Sequence, residues 1–216
     1  MFIAQALKPH NDFWKYIVGS VIVIVASVVG QLPLGLALII KSMQDGKPMP
    51  TENEIFRYMD LNLTLFLLLL SFAVAFIALI LVVRALHGQK VREVVTARPK
   101  VDWKRIFFSF TLWGVFSAAS VVALYFIEPE SYVLQFNAPK FLILLVIAVV
   151  MIPIQTSAEE LMFRGYLMQG FGVLAKNKWF PLLLTSIIFG GMHIFNPEVA
   201  KMGISCRYIT LAPVCF

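Results

Sequence analysis

Glu159, Glu160 and Arg164 stand together directly after the uncharged run from Phe141 to Ala158. An ionised side chain inside hydrocarbon is costly and is kept where it meets a partner or a water-filled cavity. The spacing divides the group. Glu160 and Arg164 are four apart and share a helix face, the order that favours an ion pair. Glu159 lies about 100° further round the helix, so it is left free of that pair, desolvated and able to act as a base. His193, in Phe189-Gly190-Gly191-Met192-His193, is a second polar residue deep in apolar sequence. If the chain bends near Lys176, Glu160 lies about 16 residues before the bend and His193 about 17 after it. At a rise of about 1.5 Å per residue, two antiparallel helices then bring the glutamates and the histidine to nearly one depth.

Such a constellation suits hydrolysis. Glu159 would activate a water for attack on a carbonyl, with His193 stabilising the developing oxyanion or shuttling a proton. Gly190 and Gly191 leave room beside the histidine for a neighbouring helix or a substrate backbone. Asn196 either orients the His193 ring or, followed by Pro197, marks a helix stop. Thr156 and Ser157 have no Lys or His on the same helix spaced to activate them, so their hydroxyls are expected to bond backbone. No cofactor is expected. A divalent metal such as zinc is the alternative, with Glu159, Glu160 and His193 as ligands. A catalytic zinc normally takes three protein ligands, H-E-x-x-H is absent, and recruiting Glu160 would cost the Arg164 pair.

The elements that must position these residues are membrane helices. Of 216 residues, 60% are hydrophobic and only 14% charged, 19 are Phe, and the mean hydropathy is +0.84. A soluble domain of this length would need far more charge to clothe its surface. The expected fold is all-α: a polytopic transmembrane helical bundle with five full spans and an incomplete sixth. The spans are expected at Tyr16 to Ile40, kinked by Pro33, at Leu61 to Val83 and at Ile106 to Ile127. The fourth runs from Phe141 to about Gly170 and the fifth from Trp179 to about Pro197. The chain reads as one integral membrane domain, 1–216, with N-terminal spans in 1–140 and a motif-bearing hairpin in 141–197. Residues 198–216 read as an incomplete or truncated segment; a short tail lying at the interface is the alternative.

The formal charge of +6 with a pI of about 9.4 does not imply nucleic acid, because the basic residues sit in short loops between apolar runs. Arg84, Lys90, Arg92, Arg98, Lys100, Lys104 and Arg105 face only Glu93 and Asp102 in one such loop. That bias predicts the loop, the N-terminus and the 170–178 bend on the cytoplasmic side of a cell membrane, with the site opening there. Cys206 and Cys215 form no disulfide framework, zinc motif or nucleophile pattern.

The combination Glu159-Glu160-x-x-x-Arg164 followed by Phe189-x-x-x-His193 on the next span resembles the CAAX-protease and bacteriocin-processing family of intramembrane proteases. This is the type II CAAX prenyl endopeptidase-like, or abortive-infection, family. The resemblance implies a helical bundle with Glu159 as water-activating glutamate, Glu160 and Arg164 as its supporting pair, and His193 as a site histidine; Phe189 and Asn196 are expected to support it. The family is described both as metal-dependent and as glutamate-dependent. Its further motif, a histidine four before an asparagine or aspartate, has no counterpart here, the histidines being His10, His87 and His193. The activity implied is cleavage of a membrane-associated peptide or prenylated protein, of CAAX type or in bacteriocin processing and self-immunity. The alternative is a catalytically inactive membrane immunity or binding protein that keeps the fold. A transporter is less well matched, for no repeated pair of broken helices marks a central site.

Overall fold

The computed structural model describes residues 12–51, 54–96, 98, 100–127, 129, 136–175, 177 and 179–194. All regular structure among them is helical. In chain order the helices are α1 (Phe13–Asp45), α2 (Ile55–Tyr58), α3 (Leu61–Ala85), α4 (Val91–Val95), α5 (Trp103–Ile127) and α6 (Ala138–Glu160). A π-helical segment (Leu161–Leu167), α7 (Met168–Ala175) and α8 (Trp179–Ile194) follow. The fold is the expected all-α transmembrane bundle. Four helical runs are long and apolar enough to cross a membrane: α1, α3, α5 and the continuous stretch Ala138–Ala175. α8 has 16 residues, fewer than the ~20 that span hydrocarbon, and is described as far as Ile194. Asn196, Pro197 and the expected incomplete sixth span lie outside the described residues.

Three local features differ from the sequence expectation. α1 runs past Ile40 to Asp45 despite Pro33. It ends where Gly46 takes a left-handed φ of 61° and donates its N–H back to the Ser42 carbonyl, a geometry that a glycine adopts without strain. The basic loop after α3 contains the short helix α4. The helix bearing the carboxylates is not α-helical throughout but widens into the π segment directly after Glu160.

The chain divides into two compact units. Residues 98–142 form one, in which Asp102 opens α5 by accepting from the Arg105 backbone N–H at 3.3 Å and by pairing with Arg98 and Arg105 at 3.0 Å each. The other, residues 1–97 and 143–216, carries the carboxylates and the histidine. Here α1 and α3 lie antiparallel. A Cβ on Gly30 would stand 2.7 Å from the Ser71 Cα, and one on Gly19 would collide with Val82 at 2.6 Å, so the glycines let the helices touch backbone to backbone. Without a hydrophobic drive between helices in lipid, such close approach supplies the association through dispersion contacts. The buried core comprises Tyr16, Val23, Ala75, Leu79, Val82, Val83, Val94 and Tyr166. Ile17, Val21, Ile24 and Val28 lie exposed on α1, as expected of side chains that face lipid tails.

Candidate active site

Glu159 and Glu160 close α6, about two turns beyond Pro153 and one turn beyond Gln155. The Gln155 amide donates to Glu159 Oε1 at 3.3 Å, which leaves Oε2 to accept another proton donor. Glu160 pairs with Arg164 at 3.4 Å, as their four-residue spacing predicts, with both side chains at least half exposed. The two carboxylates therefore have different partners. Thr156 donates to the carbonyls of Ile152 and Pro153 at 3.0 and 3.3 Å, the backbone use expected of it.

Past Glu160 the helix changes gauge. The Met168 N–H reaches the carbonyl of Phe163, five residues back, as well as that of Gly165. A π turn amounts to one extra residue in an α-helix and is found mostly at functional sites. On this segment Phe163 meets Phe189 of α8 edge to face, ring centroids 5.2 Å apart. Phe163 lies one turn beyond Glu159, towards the bend; Phe189 lies one turn before His193, on the bend side of α8. The aromatic pair thus forms a rung between the two antiparallel helices, and Glu159 and His193 begin the next rung away from the bend. The equal depth expected of Glu159 and His193 is consistent with this register. Their hydrogen bonds go elsewhere: Glu159 to Gln155, His193 to its own helix.

His193 is partly buried and packs against Phe189 with the rings tilted, centroids 4.4 Å apart. Its Nδ1 lies 2.9 Å from the Phe189 carbonyl. A carbonyl only accepts, so Nδ1 carries the hydrogen and the neutral ring keeps its lone pair on Nε2. Beside it, a Cβ on Gly191 would meet nothing within 4 Å, consistent with room for a substrate backbone. Glu159, Glu160 and His193 do not converge as a three-ligand cluster; among the described residues no three His, Cys, Asp or Glu side chains do.

A polar hub that the sequence reading left unassigned lies on the other side of the π segment. Tyr166 is fully buried, and its hydroxyl donates to the Lys15 carbonyl at 3.2 Å. The same oxygen lies 2.9 Å from His87 Nε2, and with its own hydrogen committed it accepts from the Nε2–H. Tyr16 completes a triangle of rings, with centroids 4.3 Å from His87 and 4.9 Å from Tyr166. One turn on, Gln169 is also fully buried and donates to the Glu93 carbonyl at 2.8 Å. A Cβ on Gly165 would stand 2.8 Å from the Val94 carbonyl oxygen, and one on Gly170 would stand 2.8 Å from the Tyr16 ring. Burial, reinforced by the Lys15 charge, pulls His87 down from its ordinary 6.5 to about 4. The available sequence signal was Gly165-Tyr166 and Gln169-Gly170 inside an apolar helix, where small and polar residues mark helix contacts.

Residues 138–215 are similar to the family described as type II CAAX prenyl endopeptidase, Rce1-like. Over 196 residues, 90% of its length, the chain is 32% identical to the uncharacterized protein YyaK of Bacillus subtilis (strain 168). It spans 65% of the length of that relative. No solved structure matches the chain.

Proposed function

We propose that this chain, which over residues 138–215 belongs to the Rce1-like type II CAAX prenyl endopeptidase family, is an intramembrane endopeptidase that hydrolyses a peptide bond by glutamate-activated water. The observation that carries the reading is the Phe163–Phe189 contact, from which Glu159 and His193 each lie four residues further from the bend on their own helices. Glu159 Oε2, unoccupied by the Gln155 bond, takes a proton from water as the oxygen attacks the carbonyl carbon. Glu159 passes that proton on to His193 Nε2, which delivers it to the departing amine nitrogen as the C–N bond breaks. In its imidazolium form the same N–H stabilises the oxyanion. Glu160 is held by Arg164 and supports the helix turn without taking the proton. Asn196, three residues past His193 in the sequence, is assigned a supporting role. No cofactor is required by this scheme. Zinc, were it used, would take Glu159, Glu160 and His193 as its three protein ligands, at the cost of the Glu160–Arg164 pair.

The substrate class is a membrane-associated peptide or a prenylated protein, of CAAX type or a bacteriocin-like precursor, entering from the bilayer. The protein is placed in the cell membrane with its N-terminus and the site opening on the cytoplasmic side, in keeping with the basic residues between Arg84 and Arg105. The test is cleavage of prenylated and unprenylated membrane peptides by the protein in lipid vesicles containing ¹⁸O-water. The expected result is a new carboxyl group carrying solvent oxygen, with His193→Ala slowing its appearance about 100-fold or more. Cleavage that survives His193→Ala unchanged would remove His193 from the site, and no cleavage of any such peptide would favour a fold retained for binding or immunity.

A further inference from the structure

The π turn next to Glu159 needs a cause. Its hydrogen-bond pattern is rarely adopted, and relaxation to an ordinary α-helix would rotate the N-terminal part against the C-terminal part by about 100°, one residue's worth. Contacts on either side oppose that relaxation. Phe163 is held against Phe189 of α8. Three residues later Tyr166 is held against a different neighbour, the His87 ring and the Lys15 carbonyl, with Gly165 seated on Val94 and Gln169 tied to Glu93. Gly19 makes space for the hydroxyl, because a Cβ there would collide with it. The π segment that directly follows the carboxylates is thus gripped from two directions within its seven residues.

We propose that Tyr166, through its hydrogen bond from His87 Nε2–H, is a positioning residue: it holds the π turn and thereby aims the Glu159 carboxylate into the gap shared with His193. His87 touches no reacting atom in this scheme. It reaches the site from the cytoplasmic connection after α3, so that connection becomes part of the active-site support. The proposal rests on the proteolytic reading for its functional consequence, whereas its structural content, the rotational setting of the helix, can be measured separately.

The experiment joins two readouts on the protein in lipid vesicles. The first is the oxidative cross-linking rate of a Phe163→Cys, Phe189→Cys pair, in a chain whose Cys206 and Cys215 are replaced by serine. The second is kcat and KM for peptide cleavage with Phe163 and Phe189 intact. Tyr166→Phe keeps the buried ring and loses only the hydroxyl. It should slow cross-linking severalfold and lower kcat about tenfold, with KM within about twofold, because a misaimed group loses rate more than binding. His87→Ala should act in the same way. His87→Gln, which returns an N–H donor near the position of Nε2, should restore both readouts most of the way. Cross-linking at the parental rate in Tyr166→Phe would overturn the proposal, as would a His87→Gln no better than His87→Ala. Slowed cross-linking in a protein that cleaves nothing would uphold the rotational setting while removing the proteolytic reading.

Discussion

The two described histidines have opposite hydrogen-bond assignments, and the assignments separate their roles. His193 has its hydrogen on Nδ1, fixed by the Phe189 carbonyl, and keeps a basic Nε2. His87 has a hydrogen on Nε2, fixed by a tyrosine whose own hydrogen is committed to Lys15, and serves as a donor. Its depressed value of about 4, against an ordinary 6.5, carries a sign for stability. Between those values the unfolded chain binds a proton that the folded chain refuses, so stability rises with pH across that window and is lost as pH falls from about 6.5 towards 4. Unfolding measured in detergent should show this acid loss, and His87→Gln should flatten the slope over that interval. An unchanged slope would mean that His87 is not the group responsible. Glu159 and His193 were legible in the sequence because a polar side chain in a long apolar run has few explanations. His87 was not, since it follows a helix end in a polar stretch, and it is buried where Tyr16 and Tyr166 pack against it.

At the scale of elements, the hairpin of α6, α7 and α8 was readable from two apolar runs and the turn residues between them. The π segment was not. Leu161-Met162-Phe163-Arg164-Gly165-Tyr166-Leu167 has an ordinary helical pattern, and its wide turn is held by partners distant in sequence, Val94 and His87 on one side and Phe189 on the other. α4 was hidden for a related reason, because five residues in a basic loop carry little periodicity and gain helical order by packing Val94 on the π segment. This contact predicts the effect of Gly165→Ala. The new Cβ would stand 2.8 Å from a backbone carbonyl oxygen, which yields less readily than a side chain, so the variant should lose about 1–3 kcal/mol of stability. Gly191→Ala, where a Cβ meets nothing within 4 Å, is the control. It should be neutral or slightly stabilising, by up to about 1 kcal/mol from helix propensity. Equal losses in the two would contradict the packing account of Gly165.

At the scale of the whole molecule, composition was enough for the class. With 14% charged residues the chain could only cover itself with lipid, and its long helices are those of a membrane bundle. The lengths were less legible: α1 exceeds its expected span because charge near Lys41 and Asp45 does not end a helix, and those two residues pair across one turn at 3.2 Å. The family resemblance drawn from two short motifs agrees with the match over residues 138–215, while the proposed division of labour between the two carboxylates rests on their different partners. That division is the central claim, and one measurement addresses it most directly: cleavage of a membrane peptide by the vesicle-reconstituted protein bearing Glu159→Gln or Glu160→Gln. The account predicts that Glu159→Gln loses about 100-fold or more in kcat, the range of a general base, and that Glu160→Gln loses far less. Turnover unchanged by Glu159→Gln, or lost equally in both variants, would contradict it.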